Sequence, residues 1–199
     1  MLLLLVTLLM LDPVTARAES RRIVMLGDSI TAGYGLPPGD ALPVRLQQAL
    51  ADKGLAATVE NAGVSGDTTA GGLSRLDWAV QGTPDLVIVA LGANDGLRGI
   101  DPAETRRNLA AIVQRLKQRN IPVLIAGMYA PRNLGADFTA AYDRVFTDVA
   151  SAENVPLYPF LLEGVATDPA LNQSDGIHPN AEGARRIAER LADAVISTF

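Results

Sequence analysis

The strongest constraint on the fold is an alternation that begins at Arg22, where short apolar runs rich in β-branched residues alternate with longer amphipathic stretches. Strands that are apolar along their whole length belong to parallel sheets whose two faces are covered by helices. The alternation therefore predicts an α/β protein built on one parallel sheet. We expect five strands, at residues 22–26, 57–61, 85–91, 122–128 and 155–158.

The amphipathic stretches between these strands predict the helices. In segments 41–53, 104–119, 138–152 and 181–196, apolar residues recur three and four positions apart, which is the helical period. Asp101 and Pro102 precede the second segment, and a capping residue followed by proline is a typical helix start. A shorter helix is expected at residues 72–80.

One domain accounts for the rest of the chain. No linker, repeat or low-complexity stretch interrupts the 199 residues, and a chain of this size can bury roughly 70% of its unfolded surface. We therefore expect residues 19–199 to form a single domain. The sequence contains no cysteine, which excludes thiolate catalysis, zinc–thiolate sites and disulfides.

Charge argues against one class of partner. The 17 Lys and Arg residues against 22 Asp and Glu residues give a net charge of −5, and no basic cluster is interleaved with aromatic residues. Nucleic-acid binding depends on a basic surface of that kind. We therefore expect no nucleic-acid partner.

The first 18 residues have the pattern of an export signal. Residues 1–11 form an almost purely apolar run that is too short to span a bilayer, and Ala16 and Ala18 are small residues suited to a cleavage site. The Lys or Arg that usually precedes such a run is missing. We predict cleavage after Ala18, a periplasmic or secreted bacterial protein, and no stable membrane insertion. The alternative is a segment that tethers the protein to a membrane or that is vestigial.

Four short loops are the first place to look for chemistry. In open parallel sheets, ligands bind outside the carboxyl ends of the strands. Polar, glycine-containing segments follow the first three predicted strands and precede the last helix. They are residues 27–31 (GDSIT), 63–67 (GVSGD), 92–96 (GANDG) and 175–178 (DGIH).

His178 is the only histidine in the sequence, which excludes any metal site that needs two imidazoles. Its side chain suits proton transfer near neutral pH. Asp175 lies three residues earlier, so its carboxylate can hold the Nδ1 proton of His178 if the backbone turns there. The pair predicts a general base and the acid that orients it, whereas a lone histidine without such a neighbour more often has a structural role.

Ser29 is the candidate nucleophile. It follows the first strand where a helix or tight turn should begin, and the free backbone amides there favour developing negative charge. The same position also suits a serine that merely caps a helix, so this motif alone leaves both interpretations open.

Acyl transfer also needs donors directed at the oxyanion. Candidates are the backbone amides of Ser29 and Gly66 and the side-chain amide of Asn94. Glycine lets the backbone approach a substrate closely, and asparagine donates a hydrogen bond without carrying charge. Each of these segments also has the composition of an ordinary turn.

Together, the four segments resemble the blocks of the SGNH, or GDSL, hydrolase superfamily, whose signature residues would be Ser29, Gly66, Asn94 and His178. The resemblance covers essentially all of the predicted domain. Ile30 stands where the name-giving motif has leucine, which exchanges one apolar side chain for another.

This resemblance implies a three-layer α/β/α sandwich of flavodoxin-like type that uses no cofactor and no metal. It also implies Ser29 as nucleophile, His178 as general base and Asp175 as the residue that orients His178. The oxyanion hole would come from Ser29, Gly66 and Asn94.

The resemblance further implies a small-molecule ester or thioester with a mainly apolar acyl chain as substrate, because relatives hydrolyse acyl thioesters, lysophospholipids and aryl esters. The segment from Met128 through Leu134 to Phe138 carries apolar side chains where a pocket wall would lie, or it simply packs that loop. Since His178 must be neutral to accept a proton, kcat/KM should rise through an apparent pKa of around 6 to 7.

Two other functions are compatible with parts of this sequence pattern. A carbohydrate O-acetylesterase would use the same residues, and a preference for acetyl esters over longer ones would favour it. A non-catalytic binding protein of flavodoxin-like fold would hold a phosphate in the first loop, but Gly33-Tyr34-Gly35 is too short for a dinucleotide-binding motif.

Overall fold

The computed structural model describes residues 20–199, and the predicted export signal lies outside this range. The described residues contain a sheet of five parallel strands, with the helices between them. The strands are β1 (Arg21–Gly27), β2 (Ala57–Gly63), β3 (Leu86–Ala90), β4 (Val123–Ala126) and β5 (Leu157–Tyr158).

The α-helices of residues 20–199 differ widely in length, and short 3-10 helices lie at Pro38–Asp40 and Arg132–Leu134. The α-helices are α1 (Ser29–Ala32), α2 (Leu42–Asp52), α3 (Thr69–Ser74), α4 (Leu76–Ala79), α5 (Ala93–Leu97), α6 (Pro102–Gln118), α7 (Ala136–Glu153) and α8 (Ala181–Ile196).

The sheet has the strand order β2-β1-β3-β4-β5. From β1 the chain passes through α2 to β2 at one edge of the sheet, and it then crosses back to β3 on the other side of β1. Because both kinds of connection are right-handed, α2 and the later crossover helices lie on opposite faces of the sheet. Accordingly, α2 packs against α8, while α6 packs against α3 and α7. Strands β3 and β4 are buried at every position. The predicted three-layer α/β/α sandwich with flavodoxin-like strand order is confirmed.

Several predicted elements are shorter or more divided than expected. Strand β3 has five residues and β4 has four, where the sequence predicted seven residues for each. Strand β5 has two residues instead of four, because Pro156 and Pro159 flank it and proline cannot donate to a ladder. The helix expected at 72–80 is divided into α3 and α4 at Arg75. At this break, the Arg75 guanidinium donates to the Gly27 carbonyl at 2.9 Å and to the Asp67 carboxylate at 2.5 Å.

The register of the sheet brings the loops after β1, β2 and β3 to one edge. Gly27 pairs with Gly63 on one side and with Ala90 on the other, so the three strands end level with one another. A Cβ at Gly63 would stand 2.3 Å from the backbone nitrogen of Ala32, so glycine there lets α1 cross the end of β2. This edge carries the predicted site.

Candidate active site

Ser29, His178 and Asp175 form one hydrogen-bonded chain. His178 Nε2 lies 2.9 Å from Ser29 Oγ, and His178 Nδ1 lies 2.7 Å from Asp175 Oδ2. Ser29 belongs to the first turn of α1, while the other two residues lie in the loop that leads into α8. The structure therefore brings together three side chains that are separated by up to 149 positions in the sequence.

Asp175 is held in place by its own loop. Its Oδ1 accepts hydrogen bonds from the backbone N–H groups of His178, at 3.0 Å, and Ile177, at 2.9 Å. Hydrogen bonds lower the pKa of Asp175 to about 2. The largest effect is that of the His178 N–H, and the His178 ring and the Ile177 N–H have smaller effects. The carboxylate is thus ionised at neutral pH and favours the tautomer in which His178 Nδ1–H donates a hydrogen bond to it, and in that tautomer Nε2 accepts from Ser29.

The capping residue of α1 is Asp28, which settles one ambiguity of the sequence. The Asp28 Oδ1 accepts from the Ile30 N–H at 3.0 Å and so serves as the N-cap. Ser29 is consequently the first helical residue, and its hydroxyl faces His178 instead of capping the helix. The helix ends after four residues at Gly33, whose φ of 80° lies in the left-handed region.

Two backbone amides at this edge point to no acceptor within residues 20–199. The Ser29 N–H lies in the first turn of α1, where amides have no intrahelical partner. The Gly66 N–H likewise makes no backbone hydrogen bond in this range. Gly66 has a φ of 84°, a conformation that favours glycine, and Arg98 Nη2 donates to its carbonyl at 2.8 Å.

Asn94 lies at the same edge, in the first turn of α5. Its Nδ2 donates to the carbonyl of Asp67 at 3.0 Å and to Asp28 Oδ2 at 3.3 Å. The first contact holds Asn94 against the residue that follows Gly66, and the second joins it to the residue that precedes Ser29. The three predicted oxyanion donors therefore lie on neighbouring loops that are hydrogen-bonded to one another.

A cleft of about 480 Å³ opens beside this chain of residues, with Ile30 in its wall. Most of the remaining wall is apolar, and Tyr129 stacks on Phe160 within it, with the ring centroids 4.5 Å apart. Residues 128–132 line the cleft, so the first half of the predicted wall is in place. The second half is not, because Phe138 stacks on Tyr142 of α7 instead, at 5.7 Å.

Residues 25–186 match the GDSL-like lipase/acylhydrolase family. The chain belongs to this family. This GDSL hydrolase is 40% identical over 178 residues to esterase TesA of Pseudomonas aeruginosa, covering 89% of each protein. It is 38% identical over 176 residues to thioesterase 1/protease 1/lysophospholipase L1 of Escherichia coli K12, covering 88% of this chain and 83% of that protein.

A solved structure supports the same assignment. AlinE4, an SGNH-hydrolase family esterase, is 44% identical to the GDSL hydrolase and has a TM-score of 0.77, covering 91% of this chain and 97% of that one. The resemblance to the SGNH superfamily is therefore confirmed, and so is the prediction of a hydrolytic enzyme of the esterase type.

Sequence reasoning missed three residues that support the site of this GDSL hydrolase. Asp28 is 1% exposed, and this burial raises its pKa to about 6. Asp95 is also buried and accepts from the Thr69 N–H at 2.8 Å, which ties α5 to α3. The Tyr34 ring lies 4.7 Å from the His178 ring. The capping rule could have identified Asp28, because it is an Asp just before a helix. No local pattern signals the other two.

Two further features of residues 20–199 bear on function. No group of three or more His, Cys, Asp or Glu side chains there is arranged to hold a metal ion. None of the helices in that range combines the length and apolar character needed to cross a membrane.

Proposed function

We propose that this GDSL hydrolase cleaves carboxylic esters and thioesters with apolar acyl chains through an acyl-enzyme intermediate on Ser29. The observation that carries the proposal is the hydrogen-bonded chain from Asp175 through His178 to Ser29, with distances of 2.7 and 2.9 Å, beside an apolar cleft. A nucleophile, a base and an orienting acid in this geometry are what acyl transfer requires.

The reaction would proceed in two halves. The Ser29 Oγ attacks the acyl carbonyl carbon while His178 Nε2 takes the hydroxyl proton. The bond from the carbonyl carbon to the leaving oxygen or sulfur then breaks, and His178 returns the proton to that leaving group. Water attacks the acyl-enzyme in the same way, so that the carboxylic acid leaves and Ser29 regains its proton.

The oxyanion of each tetrahedral intermediate would be met by three donors. The N–H groups of Ser29 and Gly66 are available as they stand in the described range. Asn94 has acceptors for both of its N–H groups, and the contact to Asp28, at 3.3 Å, is longer than the contact to Asp67, at 3.0 Å. The N–H that points to Asp28 makes the longer hydrogen bond, so it is the one that Asn94 would share between Asp28 and the oxyanion while Asp28 keeps the amide in place.

The shape of the cleft favours substrates with an acyl chain longer than acetyl. Its volume of about 480 Å³ and its aromatic and aliphatic walls offer burial for an extended hydrocarbon chain. Each buried methylene adds about 0.8 kcal/mol of binding. The names of the relatives, esterase and thioesterase 1/lysophospholipase L1, agree with this substrate class. An O-acetylesterase would leave most of the cleft empty.

The test is hydrolysis of p-nitrophenyl esters from acetyl to long acyl chains by the wild type and by Ser29→Ala. We expect kcat/KM to increase with chain length and to vanish in the variant. Ser151→Ala, which alters an exposed serine of α7, is the matched control and should retain full activity. Equal rates for the wild type and Ser29→Ala would contradict the proposal.

We also propose that residues 1–18 are an export signal and that the mature enzyme is periplasmic or secreted. The apolar run at residues 1–11 and the small residues Ala16 and Ala18 support this. Expression of the full chain in a bacterium, followed by intact mass measurement of the periplasmic fraction, should give a protein that begins at Glu19. Protein that retains Met1 and stays in the cytoplasm would contradict it.

A further inference from the structure

We propose that Asp28 is a positioning residue for this reaction, because its ionised carboxylate holds the Asn94 amide at the edge where the oxyanion forms. This inference rests on the proposed role of Asn94 as an oxyanion donor. It goes beyond the three residues of the catalytic chain, since Asp28 touches neither the attacking oxygen nor the base.

The geometry joins Asp28 to both sides of the site. Its side chain is almost fully buried, at 1% exposure. The Oδ1 atom accepts from the Ile30 N–H at 3.0 Å, and the Oδ2 atom accepts from Asn94 Nδ2 at 3.3 Å. The other Asn94 N–H donates to the Asp67 carbonyl at 3.0 Å. The plane of the amide is therefore fixed by two acceptors on two different loops.

The ionised form of Asp28 accepts best from both of its donors, because protonation makes one oxygen a hydroxyl that is a donor and a weaker acceptor. A carboxylate offers two acceptor oxygens, whereas a carboxylic acid or an asparagine amide carries hydrogen on one side. The Ile30 N–H is fixed by the backbone of α1, so the remaining acceptor must face it. The hydrogen-bearing side would then point at Asn94 Nδ2, which is also a donor, and the two groups would move apart. Loss of the Asp28 charge should therefore displace Asn94.

Several ionisable groups lie on the segments around Asp28. His178 is the one whose positive charge lowers the pKa of Asp28, although burial has the larger, opposite effect. Arg75 is neutralised by its ion pair with Asp67. Tyr142 keeps its proton, because burial and then the charge of Asp95 raise its pKa far above the ordinary value.

The first test is a double-mutant cycle of Asp28→Asn, Asn94→Ala and the double variant. Removing one oxyanion donor costs roughly a hundredfold in kcat, so we expect that loss in Asn94→Ala and a loss of roughly tenfold to a hundredfold in Asp28→Asn. The KM values should change by less than about twofold. Because Asp28 acts through Asn94, the double variant should be no slower than Asn94→Ala alone. Losses that multiply would overturn the inference.

The second test uses the pH dependence of the wild type, which needs no folded variant. The reaction needs a neutral His178 and an ionised Asp28, so log kcat/KM should fall in acid with a limiting slope of two. Asp175, with its pKa of about 2, stays ionised in this range. Asp28→Ser retains a helix cap but removes the carboxylate, and it should fall with a slope of one. A slope of one in the wild type would overturn the inference.

The two tests separate this inference from the proposed function. If Asn94→Ala retains wild-type turnover while Ser29→Ala is inactive, the hydrolysis stands and the role of Asp28 is refuted. If Ser29→Ala remains active, the proposed function itself is wrong.

Discussion

Replacing Asp28 by asparagine should make the protein more stable at neutral pH. Burial raises the pKa of Asp28 from its ordinary value of 3.8 to about 6. A carboxyl whose pKa is higher in the folded state binds its proton more tightly there than in the unfolded chain. Its contribution to stability is therefore complete below the unfolded pKa and is lost as the pH rises through about 6. Asparagine does not ionise, so the variant lacks this loss.

The magnitude follows from the pKa and the burial. A tenfold difference in proton affinity is worth about 1.4 kcal/mol. Between pH 4.5 and pH 7.5, the wild type should lose about 2 kcal/mol of unfolding free energy through Asp28 alone. Because Asp28 is only 1% exposed, solvent screens this electrostatic effect very little. Protonation of Asp28 weakens the hydrogen bond to Asn94 just as the Asp28→Asn substitution does, so the two proteins should have similar unfolding free energies in acid. The variant should be the more stable protein above neutrality.

Urea unfolding of the wild type and Asp28→Asn at the two pH values measures this difference directly. The other ionisable groups are present in both proteins, so the comparison isolates the contribution of Asp28 together with its interaction with His178. Asp137→Asn, at an exposed position in the first turn of α7, changes the net charge by the same amount and serves as the control. If the stability difference between the wild type and Asp28→Asn is the same at both pH values, the reasoning from burial is refuted.

Three further changes test the site. Asp175→Asn should lower kcat roughly a thousandfold, because the amide cannot hold the His178 ring as the carboxylate does. A loss smaller than about tenfold in esterase assays would contradict this role of Asp175. Gly66→Ala should reduce the unfolding free energy by about 1 kcal/mol through its φ of 84°, and unchanged urea unfolding would contradict this. Tyr34→Ala should lower kcat severalfold, whereas Tyr34→Phe should not, because the ring of Tyr34 and not its hydroxyl packs on His178. Equal kcat values for the two variants would show that the Tyr34 ring does not support His178.

The centre of the sheet could be predicted from the sequence because burial on both faces produces uninterrupted apolar runs. Strands β3 and β4 show this pattern at every position. At the sheet edge the signal fails, because prolines rather than hydropathy decide where β5 begins and ends. The break between α3 and α4 was not predictable either. At the break the Arg75 side chain donates to Asp67 and to Gly27, and the second contact, which spans 48 positions, is visible only after folding.

The candidate site likewise contains some residues that the sequence could predict and others that only the folded structure reveals. His178 and Asp175 were predictable because the histidine is unique and the carboxylate lies three residues away, within one turn of chain. Tyr34 reaches the same imidazole from the loop after α1, and a contact between segments so far apart leaves no periodic trace. The bond from Asn94 to Asp28 is likewise visible only after folding, since it joins positions that are 66 residues apart.

The carboxyl edge of the sheet concentrates features that destabilise the folded protein. Asp28 is a buried charge, and the N–H groups of Ser29 and Gly66 have no acceptor among the described residues. The same features are what the proposed reaction uses, because an oxyanion needs donors that are not already satisfied. The buried core of β3 and β4 offsets this cost away from the site. Substitutions that remove the buried charge at this edge should therefore raise stability and lower activity together, whereas stabilising changes at the opposite edge of the sheet should leave turnover unchanged.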